Sequence, residues 1–141
     1  MAKILCIDDE LDVLESCSTI LKSKGHIIKC AGNGTDGYKE ALNFKPDLII
    51  LDVMMDSHTD GFHAAYQFRN NEKLKNIPIL MLTSINQISK LKFNKEKDGQ
   101  FLPVDEFMEK PIVPQKLLAE VDRLLGLKEE NINREGVKNV Y

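Results

Sequence analysis

Pro46-Asp47-Leu48-Ile49-Ile50-Leu51-Asp52 sets four consecutive apolar residues between two carboxylates. A run that short and unbroken suits a strand buried on both faces, as in the middle of a parallel sheet. Asp52 then stands at the carboxyl end of the strand. In open α/β sheets that is the edge at which ligands bind.

Working outward, Lys3-Ile4-Leu5-Cys6-Ile7 reads as a first buried strand that ends in Asp8-Asp9-Glu10. A helix follows from Glu10 to Lys24, with Val13, Leu14, Cys17, Ile20 and Leu21 at helical spacing and Gly25 as its stop. His26 to Ala31 is a second strand. Asn33 or Thr35 caps a helix to Phe44 that buries Tyr38, Ala41 and Leu42. Beyond Asp52, Asp60 is an N-cap for a helix to Asn71 with Phe62, Ala65 and Phe68 inward. Ile77 to Leu82 is a fourth strand, with Thr83-Ser84 at its end. A lysine-rich helix is expected over Asn86 to Lys97. A short strand over Val104 to Met108 precedes Lys110-Pro111. Pro114 then opens a last helix to Leu125, with Leu117, Leu118, Val121, Leu124 and Leu125 inward and Gly126 as its stop.

Strands alternating with helices imply right-handed β-α-β units. The expected fold is α/β: a doubly wound, five-stranded parallel sheet in the flavodoxin-like order 2-1-3-4-5, with helices on both faces. One domain is expected over 1–126, followed by a polar tail over 127–141, frayed or docked on the surface. With a net charge of −3, nothing points to nucleic acid or an anionic membrane. Cys6, Cys17 and Cys30 have no framework spacing and read as small buried hydrophobes. The apolar run after Lys3 is too short for a signal peptide, and no stretch suits a membrane span. A soluble cytoplasmic protein is expected.

In the order 2-1-3-4-5, the first, third and fourth strands are neighbours. Their carboxyl ends bring Asp8, Asp9, Asp52 and Thr83 together. Carboxylates crowded at one edge repel each other. A divalent cation relieves this, and oxygen-only ligands suit magnesium. Lys110 adds a second positive group. A metal, an ammonium and a hydroxyl converging on a carboxylate describe a phosphoryl-transfer site. Asp52 is its expected nucleophile, giving an acyl phosphate.

These residues resemble the response regulator receiver domain, the phosphoacceptor module of two-component signalling. The matching pieces are Asp8-Asp9, Leu51-Asp52-Val53-Met54-Met55, Ile77-Pro78-Ile79-Leu80-Met81-Leu82-Thr83 with Ser84, and Lys110-Pro111 with Phe107 three residues before the lysine. The resemblance covers residues 3 to 125. It implies that Asp52 is the phosphoacceptor and that Asp9 binds Mg2+ directly, Asp8 mainly through water, and Met54 through its backbone carbonyl. Lys110 would pair with the phosphoryl group, its bond to Pro111 commonly cis. Thr83 would move to bond the phosphoryl group, and Phe107 would turn into the space it leaves. That motion would rearrange the face of the fourth helix, fifth strand and fifth helix. The implied donor is a histidine kinase or a histidine phosphotransfer protein, and the implied output is contact with a downstream protein. Asp56 stands where the family usually has proline, and the 84–110 segment is longer than usual. Phe101-Leu102-Pro103-Val104 replaces the usual Gly-Ala.

The expected function is a stand-alone phosphorylatable switch, not an enzyme acting on a separate substrate. An aspartyl phosphatase would need an acid two positions beyond its nucleophile, where this chain has Met54. A flavin module would need a phosphate loop after the first strand, where Asp8-Asp9-Glu10 repels phosphate. A receiver-like module working without phosphorylation is the third rival, and the full set of acceptor-site residues argues against it. Lys110→Ala is expected to keep the fold while uncoupling the switch.

Overall fold

A computed structural model of the chain describes residues 2–53, 60–84 and 103–135. Five strands, β1 (Lys3–Ile7), β2 (Ile27–Ala31), β3 (Leu48–Asp52), β4 (Ile79–Thr83) and β5 (Glu106–Glu109), form one sheet in the order β2-β1-β3-β4-β5. Every pairing is parallel. This is the expected topology. The helices between are α1 (Leu11–Lys22), α2 (Gly34–Phe44) and α3 (Asp60–Arg69), and the last helix is Pro114–Glu135.

β3 is central, with β1 on one side and β4 on the other. Its four apolar side chains are all essentially inaccessible and alternate between two cores. Leu48 and Ile50 pack with Leu14, Cys17 and Leu21 of α1 and with Leu117, Val121 and Leu124 of the last helix. Ile49 and Leu51 pack with Ala41 of α2 and with Ala64, Ala65 and Phe68 of α3. Period-two alternation thus feeds helices on both faces. Each such side chain contributes roughly 1.5–3 kcal/mol on burial. That burial fixes the position of Asp52 along the sheet, because a one-residue slip would exchange the two cores.

Local signals act where expected. Asn33 caps α2, its side-chain oxygen accepting from the Asp36 N–H at 2.8 Å. Gly25 ends α1's turn with a φ of 83°, a left-handed backbone that glycine adopts without a Cβ penalty. Gly126, in contrast, does not stop the last helix, which continues to Glu135. A helical glycine costs only about 1 kcal/mol relative to alanine, and Leu127-Lys128-Glu129-Glu130 are good helix formers. Cys30 is also corrected: Cys6 and Cys17 are buried, but Cys30 is exposed because β2 is an edge strand. The expected helix over 86–97, together with the Val53–Thr59 loop beyond Val53, lies outside the described residues.

Gly61 lets α3 start close against the end of β3. A methyl group there would meet the Asp52 carbonyl oxygen and stand 2.7 Å from Val53 Cα. Both neighbours are backbone, so neither can swing aside. Gly61→Ala is therefore expected to cost about 1–3 kcal/mol, the range for overpacking a close-packed site. Urea denaturation measures this, and an unchanged midpoint would show that the approach is looser than drawn.

Candidate functional site

The polar residues of interest stand at or just past the carboxyl ends of four strands. Asp8 follows β1, and its N–H donates to the Ala31 carbonyl at 3.1 Å, carrying the β1–β2 ladder one residue further. Its Oδ1 accepts from the Glu10 N–H at 2.9 Å. Such an i to i+2 side-chain contact turns the chain out of the strand and into α1. Asp52 ends β3 and Thr83 ends β4; both are buried. Lys110 follows β5, and its N–H donates to the Thr83 carbonyl at 2.8 Å. The Lys110-Pro111 bond is cis.

The Lys110 ammonium joins these strand ends. Its Nζ lies 3.0 Å from Asp52 Oδ1, 3.1 Å from Asp8 Oδ2 and 3.5 Å from Glu10 Oε1. Burial pulls the Lys110 pKa down, but the hydrogen bond and charge of Asp52, followed by Asp8, outweigh it and hold the ammonium well above the ordinary lysine range. Asp8 is pushed up from its ordinary value, first by burial. The Glu10 N–H and the Lys110 charge oppose that shift. Lys110 is thus charged at neutral pH, between two carboxylates that are each only 3% exposed.

Asp8, Asp9 and Glu10 present carboxylate oxygens within 4.8 Å of one another. The donor set is all oxygen and anionic, and Asp8 lies buried at its inner edge. A hard divalent cation fits such a set. Asp9 and Glu10, both exposed, supply the side open to solvent.

Of the residues singled out in the sequence, Asp8, Asp52 and Lys110 are in direct contact, and Asp9 joins Asp8 in the acidic cluster. Thr83 lies at the same sheet edge, paired in register with Glu109, the residue before Lys110. Phe107 is half-buried on β5 opposite Met81 and packs on the core that holds Phe68. Met54, the expected backbone ligand, lies outside the described residues. Glu10 was legible only as part of an acidic run at a helix start. Its reach to Lys110, a hundred residues away in the chain, left no local signal.

Comparison with known proteins agrees with this fold. A profile described as the response regulator receiver domain matches residues 4–122. The chain is 34% identical over 125 residues to the DNA-binding dual master transcriptional regulator RpaA of Synechocystis sp., covering 89% of this chain and 49% of that protein. It is 35% identical over 127 residues to the alkaline phosphatase synthesis transcriptional regulatory protein PhoP of Bacillus subtilis, covering 90% of this chain and 50% of PhoP. The chain thus spans about half the length of these curated relatives. Among solved structures, the chemotaxis protein CheY4 of Vibrio cholerae superposes with a TM-score of 0.76 at 30% identity, over 88% of this chain and 98% of CheY4. No helix among the described residues is long and apolar enough to cross a membrane.

Proposed function

The chain belongs to the response regulator receiver domain family, and on that premise we propose that Asp52 is its phosphoacceptor, fed by a histidine kinase or a histidine phosphotransfer protein. Receiver domains accept a phosphoryl group on their own aspartate and do not turn over a separate substrate. The observation that carries the assignment to Asp52 is the Lys110 ammonium, held 3.0 Å from Asp52 Oδ1 at the carboxyl end of the central strand.

A carboxylate oxygen of Asp52 attacks the phosphorus of the phosphohistidine. The O–P bond forms as the P–N bond breaks, and the imidazole nitrogen keeps the electron pair and takes a proton from water. The phosphoryl oxygens gather charge that Lys110 and the Thr83 hydroxyl stabilise by donating hydrogen bonds. Asp8, Asp9, Asp52 and the Met54 carbonyl would hold magnesium, which would supply positive charge to offset that of the phosphoryl oxygens. Buried walls on both sides of the strand end keep the carboxylate poorly solvated, which strengthens each of these contacts.

The output uses the same residues. A phosphoryl group on Asp52 draws the Thr83 hydroxyl toward it. Phe107, half-buried two residues along β5 from Glu109, turns into the space left behind. The face around β5 and the last helix then changes for a partner protein, within a unit spanning 1–126. The test is chemical trapping. Incubation with acetyl phosphate and Mg2+, then borohydride, reduces an aspartyl phosphate to homoserine. Peptide mass spectrometry is expected to find homoserine at position 52 and nowhere else. Homoserine at position 8 or 9 would move the acceptor.

A further inference from the structure

The Lys110 ammonium has three N–H donors and three carboxylates around it. Two of the three, Asp8 and Asp52, are 3% exposed, but Glu10 is 62% exposed and makes the longest contact, at 3.5 Å. Glu10 also occupies the N-cap position of α1, yet its side chain makes no capping hydrogen bond. It reaches toward Lys110 instead. Its own N–H is bound to Asp8 Oδ1, so the backbone that carries this side chain is fixed to the site.

We propose that Glu10 is a releasable latch on Lys110, a positioning residue that sets how readily the site accepts a phosphoryl group. The inference rests on Asp52 being the acceptor. A phosphoryl group arriving at Asp52 brings three oxygens and about −2 of charge. Lys110 must turn an N–H toward it while Asp52 is still an anion and attacking, so either Asp8 or Glu10 must let go. Releasing buried Asp8 would strand a carboxylate away from water, which costs far more than releasing a group already in solvent. Glu10 can swing into water with little desolvation penalty. Until it does, it occupies the N–H nearest the mouth and repels an incoming anionic donor. The latch therefore slows phosphorylation by donors that bring no compensating positive charge, and a protein donor with a cation facing Glu10 would open it.

The test uses the full chain and acetyl phosphate at saturating magnesium. The Asp52 carboxylate attacks phosphorus, the P–O bond to acetate breaks, and acetate leaves with the electron pair. Glu10→Gln removes the charge and the ion pair. It is expected to be phosphorylated roughly two- to fivefold faster at low salt, the range for an exposed ion pair. That advantage should shrink toward unity as salt screens the pair. Glu10→Asp keeps the charge but is one methylene too short to hold Lys110, so it should also be faster than wild type. A purely structural role would not give a salt-dependent ratio.

Glu10→Gln equal to wild type at both salt concentrations would overturn the latch. So would Glu10→Asp equal to wild type, since charge near the mouth would then suffice without the contact. Calorimetric titration with magnesium provides the third arm: a loss of affinity in Glu10→Gln that persists at high salt would make Glu10 a direct cation ligand and not a latch, because the loss of a nearby charge alone is screened away. Asp52→Asn runs as the control. A phosphoryl group on that variant would sink the acceptor assignment itself, whereas an inert Asp52→Asn beside unchanged Glu10 variants sinks only the latch.

Discussion

Asp52→Asn is expected to gain no phosphoryl mass from acetyl phosphate at any magnesium concentration, while unfolding within about 1 kcal/mol of wild type. The first outcome is chemical. An amide lacks the anionic oxygen that attacks phosphorus, and a loss of the nucleophile is complete where loss of a stabilising group is partial. The second is electrostatic. Lys110 lies between Asp52 Oδ1 and Asp8 Oδ2, so the buried group as a whole carries one positive and two negative charges. Asparagine deletes one of the two mutually repelling anions. Its carbonyl oxygen can still accept from Lys110, and a neutral Asp8–Lys110 pair remains. Intact mass and urea denaturation read the two halves separately. A variant that still gains phosphoryl mass would place the acceptor on another carboxylate. A variant destabilised by several kcal/mol would show that Asp8 alone, with a neutral amide at position 52, cannot hold Lys110 at this edge of the sheet.

The fold was legible because its decisive signals are local. Leu48 to Leu51 can be buried on both faces only in a central strand, and that is where β3 lies. The alternation of strands and helices then left few topologies that obey handedness. The contact of Asp8, Asp52 and Lys110 was likewise readable, since each follows or ends a strand and the strand order brings their ends together. Other features depend on distance or on degree. Glu10 meets Lys110 only because the first and fifth strands end at the same sheet edge. Cys30 looks like Cys6 in a strand pattern, and its exposure comes from the edge position of β2. Gly126 carries the same letter as Gly25, yet only Gly25 takes a positive φ. The residues C-terminal to a glycine decide whether its helix continues, and Leu127-Lys128-Glu129-Glu130 favour continuation. The consequence of removing Lys110 was also beyond the sequence, because it turns on how deeply its partners are buried.

Lys110→Ala is expected to destabilise the protein by about 3 kcal/mol at neutral pH when divalent cations are chelated, the lower end of the range for breaking a buried ion pair. The sequence alone suggested that the fold would not notice the change. The geometry argues otherwise, because Asp8 and Asp52 are buried to the same degree and this ammonium bridges them. Without it, two carboxylates face each other in a poorly solvated pocket. The same burial sets the sign of the pH dependence. It already raises the Asp8 pKa above its ordinary value, and Lys110 is among the groups that hold it down. Removing Lys110 lets it rise further. A carboxyl group with a folded pKa above its unfolded value stabilises the fold when protonated, and that stabilisation is lost as pH rises from the ordinary value through the raised one. The variant should therefore be closest to wild type near pH 4 and fall away from it toward pH 7. Magnesium supplies positive charge to the same carboxylates, so millimolar Mg2+ should recover part of the loss at pH 7 and little at pH 4. Urea denaturation at the two pH values, with chelator and with Mg2+, gives the four numbers required. Equal destabilisation in all four conditions would mean that Lys110 contributes through the packing of its alkyl chain, and that the charge between the two aspartates is not what holds this edge of the sheet together.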